Sequence, residues 1–156
     1  MQARVDPRKV CPEGMKAISS LHAYVHDCGL DHRLLELVKM RASQINGCAW
    51  CMDMHSKELR AAGEDEQRLY LLSAWRECPF YTDRERAALA WTEALTLLTE
   101  GNVPDDVFER ARAHFRDDEL TKLTIAIVAI NAANRINVAF RTVPGGYQAK
   151  VRTAAE

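Results

Sequence analysis

The chain has 156 residues, 47% hydrophobic and 28% charged, with a formal net charge of −1. That length supports one domain spanning residues 1–156, and no basic tract is present to follow a phosphate backbone, so nucleic acid is not an expected partner. Five cysteines, scattered except for one pair, do not form a secreted disulfide framework and fit a reducing cytoplasm with one functional pair. Residues 1–7 lack the apolar core of a secretory signal, and the most apolar run, residues 123–133, is too short to span a bilayer, so no membrane association is expected.

Helical punctuation then runs through the chain. Residues 13–28 carry Ile18, Leu21 and Val25 at helical spacing, with Gly29 suited to the position after the helix. Asp31 caps a second helix through Leu34, Leu35, Val38 and Ile45 that ends near Asn46-Gly47. A third helix runs over residues 48–62 to Gly63, and Asp65 opens a shorter one through Leu69, Leu72 and Trp75 that Pro79 closes. Thr82-Asp83-Arg84-Glu85 is a capping box, predicting a helix through Ala88, Trp91 and Leu95 to Leu98. Pro104 suits the first turn of the next helix, and Asp117 or Asp118 starts a long last one toward Phe140, ended by Pro144-Gly145-Gly146. No segment alternates as a strand would. The expectation is an all-α, single-domain bundle of about six to seven helices, with a loosely held tail over residues 149–156.

The chemistry concentrates in Gln44-Ile45-Asn46-Gly47-Cys48-Ala49-Trp50-Cys51-Met52-Asp53-Met54-His55. At about 100° per residue, Cys48, Cys51 and His55 fall within an arc of roughly 60°, so the three side chains share a helix face. Cα atoms three apart on a helix lie about 5 Å from each other, within the span of a disulfide. Cys48 is expected in the first turn, where unpaired N–H groups and the helix dipole favour a thiolate, and His55 lies one turn beyond Cys51 as a proton acceptor. If the second and third helices fold back at Asn46-Gly47, Glu36 and His55 come nearly level across a gap of roughly 8–10 Å. The apolar neighbours Leu34, Leu35, Leu37 and Val38 are expected to push the Glu36 carboxyl upward toward neutrality, making it a proton donor in a relay from Glu36 through His55 to Cys51.

Glu36 and the run from Ser43 to His55, followed by Gly63, resemble the core of the alkylhydroperoxidase D-like (AhpD-like) proteins. Those belong to the carboxymuconolactone decarboxylase superfamily of all-helical oligomers; the close match covers residues 31–63. The resemblance implies a peroxidase reducing organic hydroperoxides by a dithiol cycle, with no metal or flavin. It implies that Cys51 attacks the peroxide, that Cys48 resolves the intermediate and meets an external dithiol reductant (a lipoyl or thioredoxin-like protein), and that His55 and Glu36 relay protons. It also implies a homo-oligomer, a trimer or hexamer. Peroxidase members often have a histidine just before the second cysteine, where this chain has Trp50. That departure keeps open an alternative, a thiol–disulfide exchange or redox-sensing module. Members without a CxxC include lactone decarboxylases, and the pair here argues against that reaction.

Other readings carry less. CxxC with a histidine supplies three zinc-ligand types, but a closed structural site needs a fourth, and zinc-binding pairs usually sit on turns. His22 and His26 stand at i, i+4 with no third partner at helical spacing, as on a solvated face. Cys11, Cys28 and Cys78 are expected to pack, Trp75, Trp91, Tyr70 and Phe80 to be core or interface. Asn131, Asn134 and Asn137 are expected to satisfy buried backbone ends or a subunit contact.

Overall fold

The structure, a computed structural model, describes residues 2–149; apart from Ala149, the expected tail lies outside the described residues. Among these it has eight α-helices and no strand: α1 (Pro7–Val10), α2 (Pro12–Asp27), α3 (His32–Ile45), α4 (Ala49–Ala61), α5 (Glu66–Leu71), α6 (Asp83–Thr96), α7 (Asp105–His114) and α8 (Asp117–Phe140). Two 3₁₀ segments, Leu72–Glu77 and Leu98–Glu100, follow α5 and α6. The helix absent from the sequence expectation is α1, one turn that the Asp6 side chain caps by accepting from the Arg8 N–H at 3.1 Å, with Pro7 at the first helical position. Pro104 precedes α7 as its cap instead of sitting in its first turn.

Helix α3 is the centre of the bundle. Leu34, Leu35, Leu37, Val38, Met40, Ala42 and Ser43 are all buried, so apolar side chains leave this helix in nearly every direction, as in a helix enclosed by its neighbours. Leu35 and Val38 join Val25 of α2, Trp91 of α6 and Leu123 and Ile127 of α8 in one core cluster. Leu37 and Met40 join Leu59 of α4, Leu89 of α6 and Trp75 in a second. The two clusters meet along α3, which packs on α4, α6 and α8. Trp75 and Trp91 are buried as expected, whereas Tyr70 and Phe80 lie at the surface.

The apolar run at residues 123–133 is part of the 24-residue α8, which by length and composition alone could cross a membrane. It packs against α2, α3, α4, α6 and α7. Its Val128 and Val138 remain exposed.

One turn positions everything that follows. Gly47 has φ +64°, the left-handed conformation in which a Cβ is strained. With Asn46 as C-cap, Gly47 N–H donates to Gln44 O at 3.2 Å and Cys48 N–H to Ser43 O at 3.0 Å, the paired bonds of a Schellman ending. Cys48 is then at once the residue leaving α3 and the N-cap of α4, one position outside the first turn expected for it. No atom lies within 4 Å of a Cβ built on Gly47, so substitution there meets strain and no clash. We expect Gly47→Ala to lower stability by about 1–2 kcal/mol and Gly47→Asn by clearly less, since asparagine tolerates the left-handed region. Urea unfolding of the two variants checks the order.

Candidate functional site

The hairpin of α3 and α4 brings Glu36 and His55 into direct contact. His55 Nδ1–H donates to Glu36 Oε2 at 2.7 Å, closing the gap with no intervening group. The other carboxylate oxygen, Oε1, accepts from Lys39 Nζ at 2.8 Å. Both partners are sequestered: the Lys39 side chain is 11% exposed and that of His55 only 4%.

This arrangement reverses the expected ionisation of Glu36. Burial does push the carboxyl upward, but the His55 hydrogen bond, the fields of His55 and Lys39 and the Lys39 hydrogen bond outweigh it and hold the pKa at about 2. Glu36 is therefore an anion across the neutral range and not a proton donor. Its chemical consequence is a fixed ring: a carboxylate can only accept, so it holds the hydrogen on Nδ1 and, in the neutral imidazole, leaves the lone pair on Nε2. His55 Nε2 is fully buried and has no hydrogen-bond partner.

Cys48 and Cys51 are joined as a disulfide with Cα atoms 5.3 Å apart. Cys48 Sγ caps α4 by accepting from the Cys51 N–H at 3.4 Å. Both residues are buried, at 1% and 0% exposure, but only Cys51 lines the large cavity beside them. Cys48, expected to meet the reducing partner, is sealed off from that space. The cavity holds about 1020 Å³ and is also walled by Glu36, Lys39, Trp50, His55 and Asn137. His22 borders it as well, against the solvated face expected of it; burial, then Lys39 and His55, lower its pKa despite Glu36. Among the described residues, no three His, Cys, Asp or Glu side chains stand where they could share a metal ion.

Beyond Phe140 the chain folds back over α4. Asp53 Oδ2 accepts from the Gly145 N–H at 2.9 Å, Lys57 Nζ donates to Tyr147 O at 3.0 Å, and the Tyr147 hydroxyl donates to Glu58. Tyr147 meets Trp50 edge-on with centroids 6.4 Å apart, and both line the cavity.

Cys51, His55 and Glu36 thus face one space, with Cys48 bonded behind them. Sequence reasoning missed two neighbours. Lys39 was legible as a lysine within Leu37-Val38-Lys39-Met40, one turn after a glutamate, a spacing that pairs charges on a helix. Asn137, expected to satisfy a buried backbone end or a subunit contact with an active-site role left open, donates from Nδ2 to Cys51 Sγ at 3.5 Å; no local pattern links two residues 86 positions apart.

The depressed Glu36 pKa has a definite sign in stability. A group whose folded pKa lies below its unfolded value stabilises fully above the ordinary carboxylate range, and that contribution disappears as pH falls through about 2. We expect Glu36→Gln to be clearly less stable than wild type at pH 7, with the difference shrinking as pH falls below about 4.5. Denaturant unfolding of both proteins from pH 7 to pH 3 measures it; a constant difference contradicts the pairing.

Residues 12–94 match the family described as carboxymuconolactone decarboxylase. The chain is 42% identical over 139 residues to the uncharacterized protein YdfG of Bacillus subtilis, covering 89% of this chain and 95% of that one. It superimposes with a TM-score of 0.91 on the crystal structure of ATU0492 from Agrobacterium tumefaciens, a protein of unknown function whose name refers to AhpD and antioxidant defence, at 50% identity over 94% of this chain and 100% of the other. An uncharacterized peroxidase-related protein of Ralstonia eutropha shares the fold, with a TM-score of 0.77 at 20% identity over 87% of this chain and 73% of its own. With the family model matched over more than half of its length and an all-helical frame that superimposes on these two structures, the chain belongs to the carboxymuconolactone decarboxylase family.

Proposed function

We propose that this protein is a thiol peroxidase that reduces organic hydroperoxides through a Cys48–Cys51 dithiol/disulfide cycle. The observation that carries the reading is His55 Nε2, buried without a partner at the cavity that Cys51 also faces, with its ring held from behind by an ionised Glu36. A base so oriented has a lone pair available for a thiol proton.

The cycle starts from the dithiol. Cys51 gives its proton to His55 Nε2, and the thiolate attacks the terminal oxygen of ROOH. An S–O bond forms, the O–O bond breaks, and the departing alkoxide takes the proton back from Nε2, leaving ROH and a sulfenic acid on Cys51. Cys48 then attacks that sulfur, releasing water and forming the disulfide. Glu36 stays ionised throughout and balances the imidazolium that forms midway; Lys39 offsets its charge in turn. The relay is thus shorter than expected from sequence, with His55 as its only proton carrier.

An external dithiol closes the cycle. Because both sulfurs are buried and only Cys51 lines the cavity, a reductant presented on a slender arm, as a lipoyl group is, suits the site better than the broad face of a thioredoxin-like protein. The same burial disfavours the alternative of exchange with folded disulfide partners. The exposed Val128 and Val138 on α8 support assembly with further copies as a trimer or hexamer. Three further free cysteines, Cys11, Cys28 and Cys78, suit a reducing compartment such as the cytoplasm.

Mixing fully reduced protein with one equivalent of cumene hydroperoxide, then mapping peptides by mass, tests the reading. We expect a Cys48–Cys51 disulfide to form far faster than a free thiol is oxidised. Cys51→Ser is expected to abolish the reaction, and Cys48→Ser to stop it at a sulfenic acid on Cys51. Oxidation of the wild-type pair no faster than that of a free thiol rejects the peroxidase assignment.

A further inference from the structure

We propose that Asn137 is a catalytic residue of the dithiol centre: its side-chain amide donates a hydrogen bond to Cys51 Sγ and stabilises that sulfur as a thiolate. The proposal rests on the reading of Cys51 as the attacking sulfur, and it adds a group from α8 to a centre otherwise built on α3 and α4.

The geometry is direct. Asn137 Nδ2 lies 3.5 Å from Cys51 Sγ, a distance suited to an N–H donor and an acceptor as large as sulfur. The part of α8 that carries the amide is held on both sides. One turn earlier on α8, Asn134 donates to Ser43 Oγ at 3.1 Å and accepts from Asn46 Nδ2 at 3.0 Å. Asn131 accepts from the same Asn46 amide at 3.0 Å. These bonds tie α8 to the turn between α3 and α4, which is the turn that places Cys48 and Cys51. On the other side, Asn137 O accepts from the Thr142 N–H at 2.9 Å where α8 ends. The stretch of α8 that presents Asn137 to Cys51 is thereby anchored on both sides, by side-chain bonds to the α3–α4 turn and by the Thr142 N–H.

The chemistry explains why such a donor matters here. Lys39, which lines the same cavity, spends its charge on Glu36 at 2.8 Å, and the Cys51 N–H is committed to Cys48 Sγ. A thiolate at Cys51 therefore depends on the imidazolium formed at His55, on the helix start and on neutral donors. In the disulfide the amide meets an uncharged sulfur, a weak acceptor. In the dithiol it meets a thiolate, and the bond becomes charge-assisted and stronger. A bond that strengthens on ionisation lowers the thiol pKa, and one that strengthens on reduction makes the pair more oxidising. The first effect favours the thiolate that attacks a peroxide, and the second favours return of the disulfide to the dithiol by the external reductant.

Alkylation tests this without any peroxide. Reduced wild type and Asn137→Leu, which keeps the volume and removes the donor, are treated with iodoacetamide across a pH series, and labelling at Cys51 is quantified by mass. The other ionisable groups around Cys51 are unchanged by the substitution: the Cys48 thiol at the head of α4, His55 on α4, Glu36 and Lys39 on α3, His22 on α2, and Glu58 with Tyr147 at the cavity wall. We expect the midpoint to rise by about one pH unit, roughly a tenfold loss of thiolate at a given pH. Equilibration with glutathione is expected to show a less oxidising pair in the variant. Asn137→Asp, of the same shape but carrying a negative charge, should raise the midpoint further. A midpoint equal to wild type in a variant whose thermal melt shows it folded overturns the proposal. Should both variants fail to fold, the reduced wild type still decides: the Asn137 side-chain amide protons must shift in the NMR spectrum as Cys51 titrates, and static resonances overturn it. A wild type inert to hydroperoxide strikes the peroxidase reading alone, since alkylation reports the amide–thiolate contact independently.

Discussion

A buried carboxylate held between two buried nitrogen donors is the constraint on which this site is built. Glu36 sits between Lys39 at 2.8 Å and His55 at 2.7 Å. An ionised carboxyl in such surroundings is tolerated only when paired, and removing either partner leaves uncompensated charge in a poorly solvated place. The pairing therefore dictates the register of α3 against α4. A rotation of either helix by one residue would swing a partner away by about 100°. It also dictates the turn, because only the tight left-handed ending at Gly47 brings the two helices together with Glu36 and His55 at one level.

The rest of the molecule holds that hairpin in place. Two core clusters flank α3 and meet along it. On one side α8 supplies both apolar packing, through Leu123 and Ile127, and a run of asparagines to the turn itself. The Asn46 amide serves three acceptors at 3.0 Å, on Ala42, Asn131 and Asn134, so its two hydrogens are shared among them. Polar groups inside an apolar helix interface are costly unless satisfied, and when satisfied they admit few alternative packings. The asparagines that interrupt α8 are thus the means by which a helix with the composition of a membrane span is oriented over the dithiol.

The protein also resolves how a thiol pair can be enclosed and still be open to a small molecule. Cys48 faces the packed interior and caps α4, whereas Cys51 borders the cavity with His55. The segment after α8 completes the wall, held down through Asp53, Lys57 and Glu58. Those three residues are on α4 itself, so the helix that carries the cysteines also anchors the segment that shields them. The Ralstonia eutropha protein shares the fold at 20% identity, so the frame itself tolerates wide sequence change.

Local features of the chain determined a great deal. The Thr82 capping box, the Asp31 and Asp65 caps and the glycine endings at Gly47 and Gly63 all stand where expected, because capping depends on residues within a few positions of each other. The shared face of Cys51 and His55, and the level of Glu36 with His55, follow from helix periodicity and one turn, so these too were legible; Cys48, expected on the same face, caps the helix and lies off the cavity instead. Only the tertiary structure decided the rest. Apolar neighbours in sequence suggested a carboxyl pushed toward neutrality, yet the direct contacts with His55 and Lys39 make it an anion, since ionisation is set by the groups that touch a carboxyl and not by those adjacent in the chain. The contact of Asn137 with Cys51, the sealing of Cys48 and the cavity itself likewise depend on how α8 and the segment after it lie across α4, which residues 86 or more positions apart settle by packing.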